Sequence, residues 1–199
     1  MAIFALTGSL ASGKSTVLRL LKKRGAGTFD ADKKIHQYYK DKKGNMYKQV
    51  ASVFPRAARA NTISRKILAE IIFADNGRRK KLERIVHPII ISDLKAWIRC
   101  VKKRKGVFVA EVPLLFEKKL QGLFDGVILI YAKRSNLIER GRKKLHSSKK
   151  EIEERLALYM PVKNKIKNAD FVIQNNSGIR QLKEQVDSLW RKLINFSNQ

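Results

Sequence analysis

Apolar residues follow two different patterns along the chain, and their alternation predicts an α/β fold. Short continuous apolar runs lie at 2–6, 107–110, 126–131 and 171–173, as in strands buried on both faces of a parallel sheet. The pair 28–29 adds a short second strand. Apolar residues between these runs recur every three or four positions, which is the period of amphipathic helices. We therefore predict a three-layer α/β fold, a five-stranded parallel sheet flanked by helices.

The segment between the second and third predicted strands is longer than a strand crossover needs. Residues 33–104 mostly keep a helical period, whereas a crossover takes about a dozen residues. His87-Pro88 interrupts the pattern, because proline removes a helical hydrogen bond and kinks or breaks the helix. We predict an all-helical insertion that carries a second substrate.

A basic segment and a last helix follow the fourth strand. Residues 133–167 predict two helices that separate near residues 146–148, where Ser148 and Glu151 have the spacing of a capping box. Most of the cations there belong to a solvated face, but one or two could close over a nucleotide as a lid. The last helix is expected to pack one apolar face on the core, formed by Ile179, Leu182, Val186, Leu189 and Leu193.

Composition narrows the class of protein. The 199 residues are 44% hydrophobic, as in one ordinary globular domain. A net charge of +27 implies anionic partners, either nucleic acid or a polyphosphate substrate, although a lineage bias toward lysine alone could supply much of the excess. The single cysteine, Cys100, cannot form an internal disulfide, which fits a reducing cytosol. The N-terminal apolar run is too short for a signal core or a membrane span, so we expect a soluble cytoplasmic protein.

The most specific motif lies at residues 8–16, Gly-Ser-Leu-Ala-Ser-Gly-Lys-Ser-Thr. It fits the Walker A pattern and stands between a strand and a helix, as that pattern requires. Inward-pointing backbone N–H groups and the helix dipole make such a loop an anion site. Lys14 is expected to reach the β- and γ-phosphates, and the Ser15 hydroxyl to ligate Mg²⁺. The predicted ATP-binding residues are Ser9, Leu10, Ala11, Ser12, Gly13, Lys14, Ser15 and Thr16.

Acidic residues follow two of the predicted strands. Asp30 and Asp32 come after the second strand, and ligands of such sheets gather at the carboxyl ends of the strands. We expect one of the two to cap the following helix and the other to act in chemistry. Glu111 ends the third strand; it either holds Mg²⁺ through water, as Walker B acids do, or is an ordinary loop carboxylate. A functional and a structural role for His87 stay equally open.

Together these motifs resemble the dephospho-coenzyme A kinase family, a member of the P-loop nucleoside-monophosphate-kinase-like group. The resemblance extends over residues 2–190 and includes Arg65 before Ile-Leu-Ala, His87-Pro88, Pro-Leu-Leu-Phe-Glu at 113–117, and Ala-Asp-Phe-Val-Ile at 169–173 with Asn175. It implies a P-loop kinase fold with three parts. These are a nucleotide-binding core at 1–29, 105–133 and 167–199, a helical acceptor-substrate domain at 30–104, and a lid at 134–166.

The resemblance also implies a reaction and a set of roles. ATP, with Mg²⁺, would phosphorylate the ribose 3′-hydroxyl of dephospho-CoA, the last step of coenzyme A biosynthesis. Asp32 would be the catalytic base, assisted by Lys14 and Arg140, and Arg65, His87 and Leu115 would bind the acceptor together with Asp32. We expect no specific nucleic acid, no membrane, and a monomer or small homo-oligomer.

Five positions depart from the family pattern and bear on substrate affinity and the lid. They are Ala11 for glycine, His36 for arginine, Ser64 for an acid, Lys144 for the second lid arginine, and Tyr159 for glutamine. Lysine at 144 keeps the charge but loses the bidentate fork of arginine.

Two rival functions remain open at this point. Another small-molecule P-loop kinase would share the Walker A loop without needing His-Pro or Pro-Leu-Leu-Phe-Glu. A nucleic-acid-binding ATPase would account for the charge, although aromatic residues make up only 8% of the chain and no nucleic-acid motif is present.

Overall fold

A computed structural model describes residues 1–60 and 62–198. The strands are β1 Ala2–Gly8, β2 Gly27–Asp30, β3 Ala58–Arg59, β4 Thr62–Ile63, β5 Val107–Glu111, β6 Gly126–Tyr131 and β7 Phe171–Gln174. The helices are α1 Lys14–Lys23, α2 Ala31–Lys40, α3 Asn45–Val53, α4 Arg65–Ala74, α5 Asn76–Val101, α6 Arg134–Leu145, α7 Lys149–Ala157, α8 Val162–Lys167 and α9 Ile179–Ser197. The chain forms two compact units, Met1–Phe29 with Cys100–Gln199, and Asp30–Arg99.

The first unit is built on a sheet in the order β2-β5-β1-β6-β7. The central strand β1 pairs in parallel with both neighbours, Ala2 opposite Val107 and Phe4 opposite Gly126, and all seven of its residues are buried. α1 and α9 contact β1 and β5. The predicted five-stranded parallel sheet flanked by helices is therefore confirmed. Parallel pairing also brings the carboxyl ends of these strands to one edge, where the loop after β1 begins.

α9 packs on this sheet through a narrower face than the sequence predicts. Leu182, Val186, Leu189 and Leu193 are buried as expected. Ile179 is 54% exposed, because it is the first residue of the helix and lies beyond the packed surface. At the far edge of the sheet, the Gln185 side chain of α9 accepts a hydrogen bond from the Gln174 N–H and donates one to the Gln174 carbonyl, each at 2.9 Å.

The second unit is mostly helical, with its own core, but it is not all-helical as predicted. β3 and β4 pair as an antiparallel hairpin, Ala58 opposite Ile63; Asn61, between the strands, lies outside the described residues. The Thr62 hydroxyl donates to the Tyr39 carbonyl at 3.1 Å, which ties the hairpin to α2. Two-residue strands are too short to show an alternating pattern, so they could not be predicted from the sequence.

The sequence predicted a kink or a break at His87-Pro88; the break is wrong, and the kink stays a prediction. Residues 76–101 form one helix with Pro88 inside it. Proline removes one hydrogen bond and crowds the carbonyl one turn before it, but these local costs do not end the helix here. The apolar surfaces on both sides remain buried, Leu82 and Val86 before the proline and Leu94 and Ile98 after it.

The basic segment divides as predicted but contains an additional helix. α6 ends at Leu145, and its C-cap residue His146 has φ +50°. Ser148 with Glu151 forms a complete capping box at the start of α7. The third helix, α8, follows Pro161. Six residues rich in lysine give too short a pattern to predict it. None of the helices within residues 1–60 and 62–198 combines the length and the apolar character of a membrane span.

Candidate active site

The loop between β1 and α1 has the geometry of a phosphate-binding turn. The Ser12 N–H donates to the Ser9 carbonyl at 3.3 Å. Gly13 then takes φ +104°, and its carbonyl accepts from Thr16 and Val17, each at 3.1 Å. Since α1 starts at Lys14, its first N–H groups and the positive end of its dipole belong to the loop. Such an arrangement suits an anion.

Close packing and backbone conformation restrict the residues of this loop. A Cβ on Gly8 would collide with the Ile130 carbonyl oxygen and lie 2.8 Å from Ser12 Oγ. Ala11 has φ +57°, a left-handed conformation that is costly for a residue with a Cβ. Glycine, the usual residue of the family at position 11, would adopt this conformation without strain.

Lys14 lies over the start of the same loop. Its side chain is buried, and Nζ donates to the carbonyls of Gly8 and Ser9, each at 3.0 Å. Ser12 is buried as well, and within the described chain its Oγ has no hydrogen-bond partner. The structure thus brings the predicted ATP-binding residues 9–16 into one loop and the first turn of α1, with a cation and a hydroxyl among them.

Oxygen ligands that fit a magnesium ion are present at Ser15 and Glu111. Ser15 is exposed on the first turn of α1, and Glu111 is buried in β5 opposite Leu6 of β1. Magnesium in kinases is held by one or two protein oxygens together with substrate phosphates. Among the described residues, no group of three or more His, Cys, Asp or Glu side chains could hold a metal. The residues present fit an ion held partly by phosphate.

Arg140 of α6 is linked to the phosphate loop through Asn175. Its Nη1 donates to the Asn175 carbonyl at 2.8 Å, and Asn175 Nδ2 donates to the Ser12 carbonyl at 2.8 Å. Lys144, at the position of the second lid arginine, is exposed. Asn175 belongs to the motif at 169–175 that carries the family resemblance, but the sequence indicates no role for it.

Sequence reasoning missed a buried ion pair in this unit. Lys165 Nζ lies 2.8 Å from Glu117 Oε1, and the Met160 N–H donates to the same oxygen at 2.9 Å. Burial acts to raise the pKa of Glu117, but the hydrogen bonds from Lys165 and Met160 outweigh it and leave the pKa below its ordinary 4.5. Lys163 and Lys167 flank Lys165, so nothing in the sequence distinguishes the buried lysine.

The ion pair supports one wall of a cavity of about 450 Å³ that reaches Ser9 of the phosphate loop. Lys165 Nζ lies 5.1 Å from the centre of the Tyr159 ring, and Tyr159 lines the cavity together with Tyr131, Leu137, Leu156 and Met160. Tyr159 is the residue that replaces the family glutamine, so the replacement changes a cavity wall.

Asp30 and Asp32 have different surroundings in the second unit. Asp30 Oδ1 accepts from the Lys33 N–H at 2.8 Å and caps α2. Asp32, in the first turn of α2, is exposed. The structure therefore identifies Asp30 as the capping residue and leaves the Asp32 carboxylate accessible.

The remaining predicted acceptor residues come from different elements. Arg65 is exposed at the start of α4, and His87 is half-buried in α5. Ser64 caps α4 by accepting from the Ile67 N–H at 3.4 Å, so serine supplies the cap oxygen that the usual acid would. Leu115 belongs to the first unit and is fully buried. These acceptor roles stay predictions.

Known proteins match this chain over nearly its whole length. A family model described as dephospho-CoA kinase matches residues 2–181. The chain is 33% identical to a dephospho-CoA kinase of Aquifex aeolicus over 196 residues, 97% of this chain and 98% of the relative. A solved dephospho-CoA kinase from Campylobacter jejuni superimposes with a TM-score of 0.68 at 26% identity over 98% of both chains. A shikimate kinase from Acinetobacter baumannii shares the fold, with a TM-score of 0.55 at 14% identity over 100% of this chain and 96% of its own.

The resemblance inferred from the motifs is confirmed by these matches, because they cover both units rather than the phosphate loop alone. The chain is an ATP-dependent kinase, a transferase, and it belongs to the dephospho-CoA kinase family.

Proposed function

We propose that the protein transfers the γ-phosphoryl group of ATP to the ribose 3′-hydroxyl of dephospho-CoA, giving CoA and ADP. Family membership supports the choice of acceptor. The observation that carries the ATP half is the position of Lys14, whose ammonium lies over the carbonyls of Gly8 and Ser9 at the start of the phosphate loop.

On the ATP side, the chain supplies positioning and positive charge. Lys14 exchanges its two carbonyl partners for oxygens of the β- and γ-phosphates. Main-chain N–H groups of the loop other than those of Ser12 and Thr16, which donate to loop carbonyls, bind the remaining phosphate oxygens. Arg140 neutralises charge that develops on the transferring group. Phosphoryl transfer needs little else from a protein, because its transition state is stabilised mainly by position and charge.

Ser15 would hold Mg²⁺ through its hydroxyl, and Glu111 through a water. When bound, the ion neutralises charge on the β- and γ-phosphates. Carboxylate and hydroxyl oxygens are suitable ligands for this hard cation.

On the acceptor side, Asp32 accepts or orients the proton of the 3′-hydroxyl. Its exposure in the first turn of α2 supports this role, since a base must reach a bound substrate. Arg65, His87 and Leu115 bind the acceptor, the segment 30–104 serves as the acceptor domain, and 134–166 serves as the lid.

The test compares the two aspartates. Asp32→Asn should lower kcat for CoA formation by about 10²–10⁴-fold, the usual contribution of a general base. Asp30→Asn is the matched control, because asparagine caps a helix as well as aspartate does, and it should keep both fold and turnover. Product would be separated chromatographically, so that CoA and ADP are both counted.

Equal turnover by Asp32→Asn and the native protein would remove Asp32 from catalysis. ATP turnover by the native protein with some other acceptor, but not with dephospho-CoA, would overturn the acceptor assignment and leave the kinase class standing.

A further inference from the structure

Asn175, the residue that follows β7, packs its side chain directly against the phosphate loop. It is 8% exposed. Its Nδ2 donates to the Ser12 carbonyl at 2.8 Å, in a buried hydrogen bond across 163 residues of sequence. A Cβ on Gly13 would collide with the same Nδ2 atom. The amide group therefore contacts both residues of the Ser12–Gly13 peptide.

The main chain of Asn175 makes two further connections. Its N–H donates to the Tyr131 carbonyl at the end of β6, at 2.7 Å. Its carbonyl accepts from Arg140 Nη1 of α6 at 2.8 Å. One residue thus joins the phosphate loop, the edge of the sheet and the arginine that we place on the transferring phosphoryl group.

The hydrogen bond from Asn175 to the Ser12 carbonyl fixes the orientation of the Ser12–Gly13 peptide as well as its position. In a trans peptide, the carbonyl and the following N–H point in opposite directions, and no described peptide bond is cis. Since the Ser12 carbonyl points at Asn175, the Gly13 N–H points away from it. The side chain of Asn175 therefore sets the orientation of one of the N–H groups on which an anion-binding loop depends.

We propose that Asn175 is a positioning residue, which orients the Ser12–Gly13 peptide for the phosphates of ATP and holds Arg140 beside them. This inference rests on the proposed phosphoryl transfer. Asparagine suits the place because it donates a hydrogen bond without charge. An ionised aspartate there would turn a negative oxygen toward the Ser12 carbonyl and add negative charge near the phosphates.

The neighbouring residue provides a matched control. Asn176 Oδ1 accepts from the Lys133 N–H at 2.6 Å, at the start of α6. Its hydrogen bonds therefore support α6 without reaching the phosphate loop. Asn175→Ala, Asn175→Asp and Asn176→Ala would be compared for the KM of each substrate, for ATP affinity by calorimetry without acceptor, and for thermal unfolding without nucleotide.

We expect Asn175→Ala to weaken ATP binding about tenfold, the loss that one net hydrogen bond of ordinary strength predicts. Asn175→Asp, which keeps the shape of the side chain, should weaken it further near neutral pH and recover as pH falls. A protonated carboxyl can donate to the Ser12 carbonyl, whereas an ionised one cannot. The KM for dephospho-CoA should change by less than about twofold in both variants, and Asn176→Ala should leave ATP affinity within the same limit.

Unchanged ATP affinity in a folded Asn175→Asp protein would overturn the proposal. The proposal would also be overturned if the KM values for both substrates rose in proportion to the loss of thermal stability. That result would mean that Asn175 only supports the fold. ATP affinity is measured without acceptor, so this result does not depend on the proposed reaction. The proposed reaction is tested separately and fails only if the native protein makes no CoA.

Discussion

Lys165 Nζ lies 2.8 Å from Glu117 Oε1, yet the two side chains differ in exposure, 0% for Lys165 and 18% for Glu117. The Met160 N–H adds a second donor to Glu117. The carboxylate therefore has two donors and some exposure, whereas the fully buried ammonium relies on the carboxylate. Removing Lys165 and removing Glu117 should therefore lower the stability of the fold by different amounts.

Glu117→Gln should destabilise the fold more than Lys165→Met. The first change leaves a buried cation without its counter-charge, at a cost of about 3–5 kcal/mol. The second leaves a carboxylate that keeps the Met160 hydrogen bond and part of its exposure, and methionine fills similar volume. The double variant should recover most of the loss, as measured by the free energy of unfolding in urea.

The pair Glu139–Lys143 on α6 serves as the control. Its Nζ–Oε1 distance is 2.7 Å, similar to that of the buried pair, but both side chains are well exposed. Exposed pairs contribute little to stability, so Glu139→Gln should hardly move the unfolding midpoint. Equal effects at positions 117 and 139 would show that burial does not govern the strength of the Glu117–Lys165 interaction.

The same carboxylate predicts an acid-sensitive contribution to stability. The pKa of Glu117 is lowered below 4.5 in the folded protein, so the folded state favours the ionised form. Its contribution is complete above pH 4.5 and is lost as pH falls through the lower, folded-state pKa. The difference in unfolding free energy between the native protein and Glu117→Gln should shrink below that pH. A difference that stays constant into acid would contradict the ionised state of Glu117.

Ala11→Gly should not destabilise the protein, unlike most alanine-to-glycine changes. Ala11 has φ +57°, and relief of the left-handed strain, about 1–2 kcal/mol, offsets or exceeds the entropy that glycine loses on folding, about 0.5–1 kcal/mol. Ala96→Gly, at an exposed position inside α5, is the control and should cost about 1 kcal/mol. Thermal unfolding of both variants measures the difference in stability between them. Equal destabilisation by Ala11→Gly and Ala96→Gly would show that the loop is not strained.

Gly8→Ala should weaken ATP binding. The added Cβ would meet the Ile130 carbonyl oxygen, a backbone atom that cannot turn aside, and would lie 2.8 Å from Ser12 Oγ. The loop must shift to admit it. Gly122→Ala, where nothing lies within 4 Å of the new Cβ, should leave ATP affinity unchanged in a calorimetric titration. Native affinity in Gly8→Ala would mean that the loop accommodates the methyl group.

Features with strong local signals were predictable from the sequence. β6 occupies the predicted residues 126–131 because its apolar run is continuous, and the Ser148 capping box needs only two residues at a fixed spacing. The phosphate loop was equally predictable, since its two glycines, its lysine and the following serine stand at the fixed spacing of the Walker A pattern.

Features that depend on contacts distant in sequence were not predictable. The hairpin at 58–63 consists of strands too short to show a period, and α5 continues through Pro88 because packing outweighs the loss of one hydrogen bond. Nothing in the sequence shows that Lys165 pairs with Glu117, or that Asn175 reaches Ser12. Such contacts require residues that only the fold brings together.

The double hydrogen bond between Gln185 and Gln174 has a consequence for association between copies of the protein. β7 is one of the two outer strands of the sheet, and an uncovered outer strand can pair with a strand of another molecule and extend the sheet. At Gln174 both main-chain groups already have an amide partner from the same chain. An incoming strand would have to displace that amide at the end of β7, which lowers the tendency to aggregate through this edge.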